Sequence, residues 1–366
     1  MGGGVITPPY NGWYETYKHH FDDQLTKADN LNTNLPGRRQ RPGFDLLKGK
    51  ESGMGKYPIS KEFGIFAHFV PPIPGPGIAG WMGGLMRPPG WFWRDPEIKV
   101  CRRSIPGCGG DDIEVFLAEP RGVETDRCLV YFHGGGFFFG AAGSHYALVK
   151  RYALETPCKV VFADYRRTPK HPFPVPAEDC YAAFRWTVEN AEELGVAPEK
   201  IAVGGDSAGG CLCAAVTLMA RDRMRRKPCF QMLVYPVTDR RMDSDSYRRF
   251  SDTPMWNAPL SGIMFRGYLP EGWAGEIGYA SPAEAEDHSG LPDAYVEAAE
   301  FDCLHDDAVS YAGILRRAGV SVELYETRGT MHGFDIVRAA PTTQAAVARR
   351  VDFLRRAFRK AEGLSR

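Results

Sequence analysis

A serine hydroxyl attacks a carbonyl efficiently only when one group takes its proton and others receive the charge that builds on the carbonyl oxygen. Residues 200–220, KIAVGGDSAGGCLCAAVTLMA, offer such a serine. Gly205, Asp206, Ser207, Ala208 and Gly209 form G-x-S-x-G between an apolar run that reads as a strand and one that reads as a helix. In that setting the motif marks a sharp strand-to-helix turn that lifts the Ser207 hydroxyl above a sheet, with glycines where neighbouring chain passes close. Elsewhere the same letters describe a helix-capping turn; the flanking strand and helix favour the nucleophile. The following helix directs backbone N–H groups at a developing oxyanion, and Ala208 supplies the natural donor. The phosphate-loop pattern G-x-x-x-x-G-K-[ST] is absent.

YFHGGGFFFG, residues 131–140, places His133, Gly134, Gly135 and Gly136 directly after another apolar run. Glycines let the backbone present N–H groups at close range, so Gly134, Gly135 and Gly136 are expected with Ala208 in an oxyanion hole. His133, locked beside them, is better used to hold the loop than as a base. A dinucleotide frame starting at Gly134 fails because Phe139 stands at its last glycine position.

The proton acceptor should be an imidazole oriented by a carboxylate, in the chain order Ser, Asp or Glu, His. After Ser207 the histidines are His288, His305 and His332. His332 falls in TRGTMHGFDI, beyond an expected strand at 320–326, and is the expected base. EFDCLHDD offers Glu300, Asp302, Asp306 and Asp307. Asp302 lies just beyond an expected strand at 294–300 and is the expected orienter, with Glu300 the weaker rival. Asp306 and Asp307 fit the first turn of a helix, where acids favour the dipole.

The elements that position these residues alternate. Strands are expected at 98–105, 111–120, 128–132, 159–164, 201–205, 230–236, 294–300 and 320–326. Helices are expected at 144–156, 176–194, 208–226, 305–318 and 341–359. That alternation predicts an α/β fold, with a mostly parallel sheet covered by helices on both faces and a mainly helical cap. Two segments stand outside the rhythm, 1–95 and 239–280, and together they are expected to cap the carboxyl edge of the sheet, where ligands bind in open α/β folds. The catalytic domain is then 96–238 with 281–366. Short helices are expected within 10–30 and loops over 34–60. Residues 63–95 read as a packed, aromatic-bearing irregular segment or lid wall, because prolines and glycines interrupt it. Trp81, Trp91, Phe92, Trp93, Trp256 and Phe265 make the two segments aromatic.

Composition narrows the function. The 366 residues carry 45 basic and 45 acidic side chains, so nothing steers the chain to nucleic acid or an anionic membrane. No uninterrupted apolar helix reads as a membrane span. The first residues, MGGGVITPPYNGWYE, lack a secretory pattern, and nine scattered cysteines do not form a disulfide framework, so an intracellular, cytoplasmic location is expected. Cys211 and Cys213 read as small core residues rather than a metal corner. No metal or organic cofactor is implied.

HGGG at 133–136, DYRRTPKHPFPVPAEDCYAAFRW at 164–186, GDSAGG at 205–210, YP at 235–236, DCLHD at 302–306 and HGF at 332–334 occur in one chain. Together they resemble the hormone-sensitive-lipase-like family of α/β hydrolases, also called bacterial esterase family IV, over residues 97–360. The resemblance implies a triad of Ser207, Asp302 and His332, and oxyanion donors at 134–136 and Ala208. It also implies a cap built from the N-terminus and an insert, short- to medium-chain ester substrates, and frequent homodimers. The rival expectations are hydrolysis of another acyl bond (amide, formamide, lactone or thioester) and a non-catalytic small-molecule-binding protein on the same scaffold. A dimer would use strand 320–326 if it lies at the sheet edge.

Overall fold

The computed structural model describes residues 56–84, 86, 88–224 and 226–363. The helices expected at 10–30 and most of the loop expected at 34–60 lie outside the described residues. The sheet has eight strands in the order β1-β2-β4-β3-β5-β6-β7-β8. β2 (Asp112–Pro120) runs antiparallel to both of its neighbours, β1 (Ile98–Pro106) and β4 (Lys159–Asp164). β3 (Cys128–Phe132), β5 (Ile201–Asp206), β6 (Gln231–Val234), β7 (Ala294–Phe301) and β8 (Val322–Met331) continue from β4 in parallel. β3 and β5 are buried along their whole length, as central parallel strands must be.

Strand residues alternate between two cores because successive side chains point to opposite faces. Val130 and Phe132 join one core with α3 (Val175–Glu189), α4 (Ala208–Arg223) and α6 (His305–Arg317). Leu129 and Tyr131 join the other with α2 (Gly143–Glu155) and α7 (Pro341–Ala361).

Two observations correct the expected elements. β8 runs to Met331 rather than ending at 326, because its polar stretch pairs with β7 through Thr327 opposite Ala299 and Met331 opposite Phe301 across a bulge. Residues 76–83 are not irregular; they form helix α1 (Pro76–Gly83), with proline at its start. Tertiary packing overrides the low helix propensity of its glycines. A Cβ on Gly80 would lie 3.0 Å from Thr168 O, and one on Gly83 would lie 2.8 Å from Phe139 Cα. Only glycines let this helix approach those loops so closely. The 239–280 insert carries α5 (Ala258–Tyr268), capped by Asn257 Oδ1, which accepts from Leu260 N–H. α1 packs against α5, with Pro76 beside Gly267. Among the described residues no helix is long and apolar enough to cross a membrane.

Candidate active site

Ser207 sits between β5 and α4 with φ 55° and ψ −120°, a backbone conformation that a non-glycine residue adopts only when its surroundings impose it. Ser207 N–H donates to Val234 O at 2.9 Å, and Ser207 O accepts from Val237 N–H at 3.1 Å. The turn has no spare volume. A Cβ on Gly205 would lie 2.8 Å from Phe132 O, and one on Gly209 would lie 2.7 Å from His133 C. The glycines of the motif therefore let the elbow press against the end of β3.

Ser207 Oγ is 2.8 Å from His332 Nε2, and His332 Nδ1 is 2.6 Å from Asp302 Oδ2. His332 follows β8 directly and Asp302 follows β7, so the two side chains come from adjacent strand ends. Asp302 is fully buried, and its Oδ1 accepts from Leu304 N–H at 2.9 Å, which fixes the carboxylate. With the imidazole proton on Nδ1 held by Asp302, Nε2 is free to take the Ser207 proton. The rival residues are engaged elsewhere. Glu300 accepts from Gly329 N–H, His305 lies between Asp306 and Glu326, and His288 Nε2 donates to Pro282 O.

The glycine loop divides its labour. Gly134 N–H donates to Asp206 Oδ2 at 3.1 Å, so Gly134 is not a free oxyanion donor as the sequence led us to expect. Asp206 neighbours Ser207 in the chain and draws that N–H to itself. The N–H groups of Gly135, Gly136 and Ala208 have no partner among the described residues. Gly135 and Gly136 need glycine, at φ 117° and 59°. His133 donates from Nδ1 to Gly134 O at 2.7 Å and stacks on Tyr165, so its role is to hold the loop. Burial pulls its imidazole down to about 3, which keeps it neutral.

Sequence reasoning missed the groups behind this loop. Asp206 Oδ1 accepts from Tyr131 Oη at 2.8 Å, and Oδ2 also contacts His145 Nε2 at 3.1 Å. Burial works to raise the Asp206 pKa, but His145 and the Tyr131 hydroxyl outweigh it and hold the carboxyl below its ordinary value. Burial works to lower the His145 pKa, and Asp206 raises it above the ordinary value. A second network braces His332. Tyr235 stands edge-on to its ring at 4.9 Å and donates to Asp335 Oδ1 at 2.7 Å. Fully buried Arg350 donates to Asp335 Oδ2 at 2.8 Å and to Glu297 at 2.6 and 3.0 Å. Arg350 had a readable signal: it falls on the stripe of Ala346, Val347, Val351 and Leu354 that α7 turns to the core. His145 had none.

A model described as the alpha/beta hydrolase fold matches residues 129–336. Carboxylesterase NlhH of Mycobacterium tuberculosis is 36% identical over 276 residues, covering 72% of this chain and 84% of that protein. An arylesterase of Saccharolobus solfataricus is 34% identical over 244 residues, covering 66% and 76%. Among solved structures, a bacterial heroin esterase is similar with a TM-score of 0.69 and 34% identity, covering 77% of this chain and 89% of that one. A Pyrobaculum calidifontis esterase is similar with a TM-score of 0.67 and 35% identity, covering 72% and 87%.

Proposed function

On the premise that this chain belongs to the hormone-sensitive-lipase-like family of α/β hydrolases and is a carboxylic ester hydrolase, we propose that Ser207, His332 and Asp302 are its catalytic triad. The observation that carries the assignment is the continuous chain from Ser207 Oγ to His332 Nε2 at 2.8 Å and from His332 Nδ1 to Asp302 at 2.6 Å. His332 takes the Ser207 proton as Oγ attacks the ester carbonyl. The oxyanion rests on backbone N–H groups of Gly135, Gly136 and Ala208. His332 then gives the proton to the departing alcohol, leaving an acyl-serine. Water, activated by the same imidazole, releases the acid and restores Ser207.

Short- to medium-chain esters are the proposed substrates. Residues 1–95 and 239–280 are the proposed cap, a reading supported among the described residues by the packing of α1 on α5. The test is hydrolysis of p-nitrophenyl esters from acetate to palmitate beside Ser207→Ala. Activity that peaks at short acyl chains and vanishes in the variant is expected; equal rates in both proteins would refute Ser207.

Homodimer formation through the free edge of β8, an outer strand of the sheet, belongs to the same reading. A monomeric elution profile at micromolar protein would refute it. A cytoplasmic location is proposed because all nine cysteines are unpaired, as a reducing compartment keeps them. Recovery of the activity in a secreted or membrane fraction would overturn that placement.

A further inference from the structure

The insert between β6 and β7 brings the ring of Trp256 beside the triad histidine. Of the aromatic residues in segments 63–95 and 239–280, Trp81, Trp91 and Trp93 are exposed, and Phe92 packs on Tyr146 with ring centroids 4.7 Å apart. Trp256 instead is buried with its ring centroid 6.0 Å from that of His332. Its far edge stands against the oxyanion loop: Cη2 lies 2.8 Å from where a Cβ on Gly136 would be. Phe138 backs the ring at 6.2 Å.

The ring is fixed rather than hinged. Trp256 Nε1 donates to Ser261 Oγ at 2.9 Å, and Thr253 Oγ1 donates to Trp256 O at 2.8 Å. Met255, held at φ 64°, donates its N–H to Phe69 O at 2.6 Å and so ties the insert to the 63–95 segment. A neutral indole with its N–H already satisfied offers the substrate only an apolar wall.

The position of that wall relative to the reacting atoms decides its role. In the tetrahedral intermediate the oxyanion lies on the glycine side, and the leaving oxygen must lie within reach of His332 Nε2, which protonates it. A ring that contacts both the Gly136 position and the imidazole therefore borders the alcohol substituent, and the acyl chain extends in the remaining direction. We infer that Trp256 limits the size of the alcohol group this enzyme accepts, so that esters of bulky alcohols react more slowly than those of small primary alcohols. The inference rests on the ester-hydrolase reading with Ser207 as nucleophile.

The experiment compares acetate esters of ethanol, 2-propanol and tert-butanol, with acid release followed by pH-stat. The same preparations are assayed on ethyl esters from acetate to decanoate. Trp256→Ala is expected to raise the tert-butyl to ethyl ratio of kcat/KM by about 10-fold or more, the scale on which a pocket discriminates small apolar groups. The acyl-length profile is expected to keep its shape. Trp256→Phe, which keeps an aromatic ring in the cap and shortens the wall, should give a smaller rise and serves if the alanine variant does not fold. An unchanged alcohol ratio in a folded variant, or a shift confined to acyl length, overturns the assignment of Trp256 alone. Absence of hydrolysis of every ester by the wild-type protein overturns the ester reading, and the inference with it.

Discussion

Gly134→Ala tests whether the oxyanion loop is positioned through Asp206. Gly134 does not have a positive φ, so an alanine meets no backbone strain there; space alone opposes it. Its Cβ would lie 2.9 Å from Asp206 O and 3.1 Å from Ser207 Cβ, and closer still to Asp206 Oδ2. Ordinary contact limits are roughly 3.3 Å for carbon to oxygen and 3.5 Å for carbon to carbon. The elbow cannot yield, because Gly205 and Gly209 are already pressed against Phe132 and His133. Relief therefore comes from moving the 133–136 loop away and swinging the Asp206 carboxylate aside by about 1 Å, which breaks its bonds to Tyr131, Gly134 and His145. A misplacement of about 1 Å in a catalytic constellation costs on the order of 100-fold in rate, close to 2.7 kcal/mol of transition-state stabilisation. Steady-state hydrolysis of p-nitrophenyl butyrate should show kcat reduced by about that factor with KM little changed, since the donors act on the oxyanion and not on the ground-state ester. A kcat within about 3-fold of wild type, in a variant with native circular dichroism, would refute the positioning role of Asp206 and the crowding argued from this loop.

Three other outcomes follow from the geometry. Asp302→Asn preserves the shape of the site but not the tautomer of His332, so kcat should fall by about 10⁴ with the fold intact; a loss under about 10-fold would remove Asp302 from the triad. Arg350→Met leaves Glu297 and Asp335 buried without their cation and should destabilise the protein by about 3–5 kcal/mol in urea unfolding; a change under about 1 kcal/mol would show that the network is not taut. His133 has a folded-state pKa of about 3 against an ordinary 6.5, so the unfolded chain binds the extra proton between those values. The stability due to this group is complete above about pH 6.5 and is lost as pH falls toward 3, reaching about 2 kcal/mol of loss at pH 5. His133→Phe should lack that component, so its urea midpoint should fall less than that of wild type between pH 7.5 and 5; parallel declines would contradict a buried neutral His133.

The central fold was legible because buried parallel strands read as continuous apolar runs. The bounds expected for β3 and β4, 128–132 and 159–164, are those observed. Ser207, Asp302 and His332 were legible for a related reason. Ser207 and Asp302 stand just past apolar strands, His332 stands in the glycine-bearing chain beyond the expected strand at 320–326, and the observed distances bring the three together. By itself, then, the sequence determined the alternating α/β core, the chemical types of the site residues and the strand ends that carry them. What it left open is what depends on contacts between distant segments. The last residues of β8 are polar, and only pairing with β7 makes them strand. The glycines of α1 argue against a helix until the loops at 137–139 and 168–169 supply the surface that requires their small size. Gly134 looked like an oxyanion donor, and its N–H turned out to belong to Asp206, 72 residues away. His145, Glu297 and Arg350 carry no local mark of their charge partners, and Trp256 looked no different from the other aromatics of segments 63–95 and 239–280. Tertiary structure decided these roles, because hydrogen-bond satisfaction and ring contact depend on which surfaces meet, whereas strand and helix periodicity is written along the chain.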